Sequence, residues 1–307
     1  MFVKLFIVAI ILCMKVMKKE TLQKHTRIAN NILYYIYTHI ETHIDLDELS
    51  RDLGVSKFHM HRIFKETFEK NIYESIKSIR LQKASSLLLT NKHSTISEVA
   101  NLCGYSSHSS FIKAFRERFG KSPKTWRSGG YKTYSGRILR QSRNAMRSTA
   151  DFSGMEPVVV KMPEMESYYI RHKGYDTTIR QTWQKLHTWV LDNGLSDYQQ
   201  IALFHDNPTV TPLDDCQYIA CIVGGEGQKV RSDRLPKFRI SEGIYARFDL
   251  QGNHGDILKF IHWVYHEWLP ASDYETTTKP SYAVYRKNNF LSEDNTFDLS
   301  FYVSIRY

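Results

Sequence analysis

A chain of 307 residues with 42% hydrophobic and 13% aromatic side chains has enough apolar material for more than one buried core, so two domains are expected. Its four cysteines, Cys13, Cys103, Cys216 and Cys221, lack C-x-x-C spacing, which argues against a disulfide framework or a zinc ribbon and for a reducing, cytoplasmic setting. The formal net charge of +10 is uneven: residues 17–147 hold 24 Lys/Arg against 11 Asp/Glu and residues 148–307 hold 16 against 21, so the amino half is the part suited to a polyanion.

The chain opens on an apolar run, Leu5 to Cys13, shorter than the ~20 residues that span a bilayer. No small-residue cleavage site follows it. Residues 1–16 therefore read as a start-site extension or apolar leader ahead of Met17, without stable membrane association.

Next comes a repeat. "DLDELSRDLGVSKFHMHRIFKETF" from Asp45 matches "TISEVANLCGYSSHSSFIKAFRERF" from Thr95. Asp45 and Glu48 stand opposite Thr95 and Glu98, the spacing of a capping box. Leu49, Ser50 and Leu53 match Val99, Ala100 and Cys103, a buried stripe. Gly54 and Gly104 fall where a helix must stop and turn, and Ser56 and Ser106 are placed to cap the next helix. One extra residue then enters the second copy, aligning Met60, Phe64 and Phe68 with Phe111, Phe115 and Phe119. Helix, glycine turn and basic second helix make a helix-turn-helix, found here twice, and such a second helix enters a major groove of double-stranded DNA. Between the copies, Tyr73 to Thr90 reads as one helix, a spacer able to set two reading helices about 34 Å apart, one turn of B-DNA.

Around the buried Met60, Ile63, Phe64 and Phe68, the first reading helix exposes Lys57, Phe58, His61, Arg62 and Lys65. The second exposes Ser107, His108, Ser109, Ser110, Lys113 and Arg116, a small hydroxyl-rich face suited more to phosphates than to bases. Lys121, Lys124 and Arg127 follow as phosphate contacts. With Arg80, Leu81, Ala84, Leu87 and Leu88 between the copies and the closing "GYSSHSSFIKAFRERFGKSPKTWR", residues 17–128 resemble the all-α DNA-binding domain of AraC/XylS-type transcription regulators. That resemblance implies base contacts at Phe58, His61 and Arg62, and DNA contacts at His108, Ser109 and Lys113.

Residues 129–154, rich in Gly, Ser and Arg, read as a basic tether. "VVVKM" and "SYYIRH" read as strands, "TIRQTWQKLHTWVLDNGL" as a helix and "IALFHD" as a strand, and a second round follows in "YIACIVGG", "GIYARFDLQG", the helix "DILKFIHWVYHEWL", "SYAVYRK" and "DLSFYVSIRY", giving two strand-helix-strand-strand repeats. Through "YIRHKGY", "ALFHDNP" and "FYVSIRY", residues 155–307 resemble a GyrI-like, Rob-type effector-binding domain of α+β fold. The resemblance implies a hydrophobic, often cationic ligand held by aromatic walls and a buried glutamate after a proline in the penultimate strand; Ala283 stands at that position, which favours a neutral or anionic ligand. The expected pocket lining is Tyr168, Trp189, Trp263, Tyr282, Tyr285 and Tyr302, with Glu267 as a compensating carboxylate.

Catalytic signatures are weak. His262 and His266 sit at i, i+4 without the H-E-x-x-H order or a third ligand, Gly224 to Gly227 lacks the pattern of a phosphate loop, and His59 and His61 diverge on their helix. No cofactor and no metal are expected. The whole reads as a cytoplasmic, DNA-binding transcription regulator, an activator working with RNA polymerase as a monomer or weak dimer and sensing a small hydrophobic molecule. The alternative is a carboxyl domain acting as a small-molecule hydrolase or a protein-sequestering module.

Overall fold

The computed structural model describes residues 2–225, Val230 and 235–307, with side chains from residue 20 onward. The expected leader thus lies outside the described side chains, as do Glu226 and Gly227 of the glycine loop. No described helix is long and apolar enough to cross a membrane. The chain divides into a first unit of residues 1–39 and 43–77 and a second of 40–42 and 78–307.

In the first unit, α1 (Phe2–Thr38) buries Ile28, Ala29, Ile32, Leu33 and Ile36 and packs on α3 (Lys57–Phe68), which buries Met60, Ile63 and Phe64. The stripe on α3 recurs at three and four residues, so one face goes inward and the opposite one to water. Before it, α2 (Leu46–Asp52) starts at Asp45, whose carboxylate accepts from the N–H groups of Asp47 and Glu48 at 2.8 and 3.1 Å. Gly54 makes the turn at φ +63°, and Ser56 accepts from the His59 N–H to start α3. The next helix, α4 (Ile72–Thr90), gives residues 78–90 to the second unit.

The second unit repeats the motif with α5 (Ile96–Leu102) and α6 (His108–Phe119). Thr95 and Glu98 close a full reciprocal capping box. The cap of α6 is Ser107, accepting from the Ser110 N–H, and not Ser106 as expected: the residue inserted into the second copy falls before the cap.

The expected tether is folded. After α7 (Pro123–Thr125) and a π-turn at Trp126–Gly130 come α8 (Tyr131–Leu139) and α9 (Arg143–Arg147). Tyr131, Ile138, Ala145 and Phe152 are all buried, and Trp126, fully buried, donates its indole N–H to the Ser85 carbonyl at 3.0 Å. Four buried apolar residues, one every seven positions, pin this segment down despite its polar composition.

The remainder is one antiparallel sheet with helices. Its elements are β1 (Val158–Met162), β2 (Met165–Lys173), α10 (Ile179–Asn193), β3 (Tyr198–Phe204), β4 (Gln217–Gly224), β5 (Lys237–Ile240), β6 (Gly243–Asn253), α11 (His254–Trp263) running through a π-turn into α12 (Leu269–Ala271), β7 (Glu275–Thr276), β8 (Ser281–Lys287) and β9 (Thr296–Arg306). The order β1-β6-β9-β8-β3-β4-β2-β5 has a pseudo-twofold, the rounds β2-α10-β3-β4 and β6-α11-β8-β9 meeting where β3 pairs with β8 and Ala202 stands opposite Ala283; "YIACIVGG", expected to open the second round, is β4 and closes the first, since it pairs with β3 and β2. Alternation along β8 sends Ala283 and Tyr285 toward α10 and Tyr282 to the other face. One continuous core runs from Leu81 through α5, α6, α8 and α9 to the helix-covered face of the sheet.

Candidate nucleic-acid interface and ligand cleft

On α3, the solvent face carries Phe58, which is 80% exposed. A ring left in water forgoes about 2–3 kcal/mol of burial. Arg62 and Lys65 are exposed beside it, Arg62 with Glu66 at a loose 3.9 Å. His61 stacks on Tyr73 with centroids 5.7 Å apart; burial, aided by Lys57, lowers its pKa and keeps the imidazole neutral at neutral pH. Lys57 is tied to Asp47 at 2.9 Å, a hydrogen bond that holds its ammonium above the usual range.

On α6, Ser109, Lys113 and Arg116 are exposed and line, with Ile112 and Glu117, an open groove of about 440 Å³. His108 is also exposed, its Nδ1 3.0 Å from the Ser97 hydroxyl, while Ser107 is committed to capping. Lys124 faces water and Lys121 is half-buried. Arg127 differs from expectation: it is half-buried, its Nε donates to the Leu88 carbonyl at 3.4 Å, and burial lowers its pKa. The Trp126 anchor draws its neighbour inward.

The expected ligand residues do not converge. Tyr282 and Tyr302 stack at 4.6 Å on the sheet face away from α10, with Tyr245 against Tyr282 at 5.3 Å. Tyr285 lies on the opposite face, 5.8 Å from Trp183 of α10. Tyr168 pairs with Trp189 at 4.9 Å beneath Lys237, and Trp263 packs on Phe248, Phe260 and Phe152. Glu267 is exposed on the π-turn and does not supply a carboxylate near Ala283, which is fully buried. Around Ala283 the core is aromatic: Trp183 donates to the Tyr218 hydroxyl at 2.9 Å, and burial raises the Tyr218 and Tyr285 phenols, keeping them protonated donors.

Above that core opens a cleft of about 660 Å³, lined from α9 and its continuation by Asn144, Arg147 and Ser148, from α10 by Arg180, and from α11 and the β8–β9 loop by His254 and Asn289. Its floor includes Phe290, whose ring lies 6.1 Å from Tyr218 and 5.1 Å from His254. Burial, and then Arg180, lower the His254 pKa, so the ring is neutral. These polar residues come from sites far apart in the chain, and no spacing in the sequence announces them.

His262 and His266 stack at 4.0 Å with rings 3° from parallel, and burial together with His262 pushes His266 down to about 3. Among the described residues no three His, Cys, Asp or Glu side chains group to hold a metal. Cys103, Cys216 and Cys221 are free and buried, and burial raises the Cys103 thiol to about 12.

Comparison with known proteins supports both halves. Residues 49–129 match a helix-turn-helix domain family and residues 155–306 a GyrI-like small molecule binding domain family. The probable transcription factor PqrA of Proteus vulgaris is 30% identical over 105 residues, 34% of this chain and 85% of that protein. The Msm operon regulatory protein of Streptococcus mutans is 31% identical over 98 residues, 32% of this chain and only 35% of its own length. Among solved structures, the C-terminal domain of AraT, a response regulator from Geobacillus stearothermophilus, is 27% identical over 33% of this chain and 84% of that one, with a TM-score of 0.31. With the duplicated motif in its amino half and the two-round sheet in its carboxyl half, the chain belongs to the AraC/XylS-type regulators that carry a GyrI-like small molecule binding domain.

Proposed function

We propose that this protein is a cytoplasmic transcription regulator, an activator and not an enzyme, that reads DNA with both helix-turn-helix copies and senses a small molecule through its carboxyl domain. The observation that carries the reading is the outward face of α3, where an 80% exposed Phe58 stands among Arg62, Lys65 and His61. Arg62 supplies two parallel donors to a guanine edge and Phe58 an apolar contact to a thymine methyl. On α6, Ser109, Lys113 and Arg116 hold phosphates and fix register, helped by Lys124. RNA polymerase is the expected protein partner, and the regulator acts as a monomer or weak dimer. Ligand binding alters transcription only through a difference in affinity between conformations.

Selection of bound fragments from a random duplex pool tests this. Arg62→Ala is expected to cost about 1–3 kcal/mol at one base position, whereas Lys124→Ala weakens all sequences alike and lowers the salt dependence. An unmodified protein that enriches no sequence refutes the reading.

A further inference from the structure

The cleft above Phe290 has unbalanced charge. Arg147 is exposed at its mouth, and the Arg180 guanidinium reaches two neutral oxygens, Asn295 Oδ1 at 2.6 Å and the Asn289 carbonyl at 3.5 Å. Among the described residues neither arginine has a carboxylate within ion-pair distance. One carboxylate lines the cleft, Asp256, and its oxygens are occupied: Oδ1 accepts from the Ser148 hydroxyl at 2.5 Å and Oδ2 from the Asn253 N–H at 2.7 Å. Asn289, only 2% exposed, spends its amide N–H on His254 Nδ1 at 2.9 Å, and its Oδ1 is buried without a partner. A buried acceptor in that state is stabilised by any ligand that brings it a donor.

Resting on the reading of this domain as a sensor, we propose that the cleft binds a small anion that also carries a hydroxyl donor, the class of hydroxycarboxylates and monophosphate esters. The anionic group sits between Arg147 and Arg180, whose forked donors match carboxylate and phosphate geometry. The hydroxyl donates to Asn289 Oδ1. The alanine pair at the centre of the sheet offers no carboxylate to offset a cation's desolvation, and the two arginines oppose one at the mouth. The wall bearing Arg147 follows α8 in the chain, and Tyr134 of α8 packs on Phe119 at the end of α6 with centroids 5.7 Å apart.

Calorimetric titration of the full chain in a phosphate-free buffer tests the assignment with glycerol 3-phosphate, glycolate, acetate and tetraphenylphosphonium as probes. Saturable binding of glycerol 3-phosphate or glycolate is expected; whichever binds tighter separates phosphate from carboxylate as the natural group. Acetate, lacking the donor, binds more weakly than glycolate in the unmodified protein but equally in Asn289→Ala. Arg147→Ala and Arg180→Ala each weaken the anions about tenfold or more, while Lys161→Ala on exposed β1 leaves them unchanged. Because Arg147 is exposed, its variant keeps the test valid where the Arg180 variant fails to fold. Tighter binding of tetraphenylphosphonium, no anion binding, or equal loss in Lys161→Ala and Arg147→Ala overturns the proposal. A protein that ignores the anions yet selects DNA sequences loses this inference alone, and one that selects no sequence loses the regulator reading.

Discussion

The two helix-turn-helix copies trace the same turn under different constraint. Gly54 and Gly104 both adopt left-handed φ, +63° and +72°. A Cβ on Gly54 would meet nothing within 4 Å, whereas one on Gly104 would lie 2.5 Å from the Ile40 carbonyl oxygen and 2.6 Å from the Arg80 guanidinium carbon. Arg80 has little room to yield, since it is half-buried and donates to the Thr42 carbonyl at 2.9 Å. The first glycine answers a dihedral requirement; the second answers that and a packing requirement. A duplicated motif thus keeps its backbone path while each copy acquires its own supports.

Alanine at the two glycines breaks the comparison most sharply. Gly54→Ala is expected to cost about 1–2 kcal/mol for the left-handed conformation alone. Gly104→Ala adds overpacking against a carbonyl and a held guanidinium, for a total of at least about 3 kcal/mol. Denaturant midpoints of the two variants measure this, and equal losses refute the account of Gly104.

A second difference lies just before the second copy. The Glu275 carboxylate of β7 accepts from the His93 and Ser94 N–H groups at 3.1 Å each and from the Ser94 hydroxyl at 3.0 Å, and pairs with Arg306 at 3.1 Å. The carboxyl domain therefore holds the entry to α5 directly, with Asn91 beside it bonded to the Thr276 backbone at 3.0 Å in both directions. Burial alone raises the Glu275 pKa, but the hydrogen bonds from Ser94 and Arg306 outweigh it and the net shift is downward. A depressed carboxylate contributes stability that is present above its unfolded value of about 4.3 and lost as pH falls through the lower folded one. Glu275→Gln is expected to cost about 1–3 kcal/mol at pH 7 and to flatten the acid limb of the stability profile. An acid limb as steep as that of the unmodified chain counts against Glu275 as the support.

The repeat was readable because its marks are local: caps, a glycine, and an apolar stripe at helical spacing. The folded segment at 129–154 was not, although Tyr131, Ile138, Ala145 and Phe152 recur every seven residues, because Gly, Ser and Arg dominate the composition between them. Aromatic identity alone does not place a residue at a pocket. Tyr282 and Tyr285 are an odd number of residues apart on one strand, so strand alternation alone sends them to opposite faces. Arg147, Arg180 and Asn289 meet only through tertiary packing, and nothing in a single sequence joins them.

The smallest expected effect separates the ends of the two reading helices. Each stops at a left-handed residue whose N–H returns to the last turn: Glu69 at φ 59° bonding to Lys65, Gly120 at φ 68° bonding to Arg116. Gly120 adopts this conformation at no steric cost, while Glu69 bears the strain of its Cβ. Glu69→Gly is therefore expected to stabilise the first copy by about 0.5–1 kcal/mol, the strain relieved less the entropy glycine gains when unfolded. The space around a Gly120 Cβ is open, so Gly120→Glu meets no clash and costs about the same amount in the opposite direction. Opposed shifts of similar size in the denaturant midpoint identify backbone conformation as the whole difference between the two helix ends, and a much larger loss at Gly120 assigns that glycine a packing role as well.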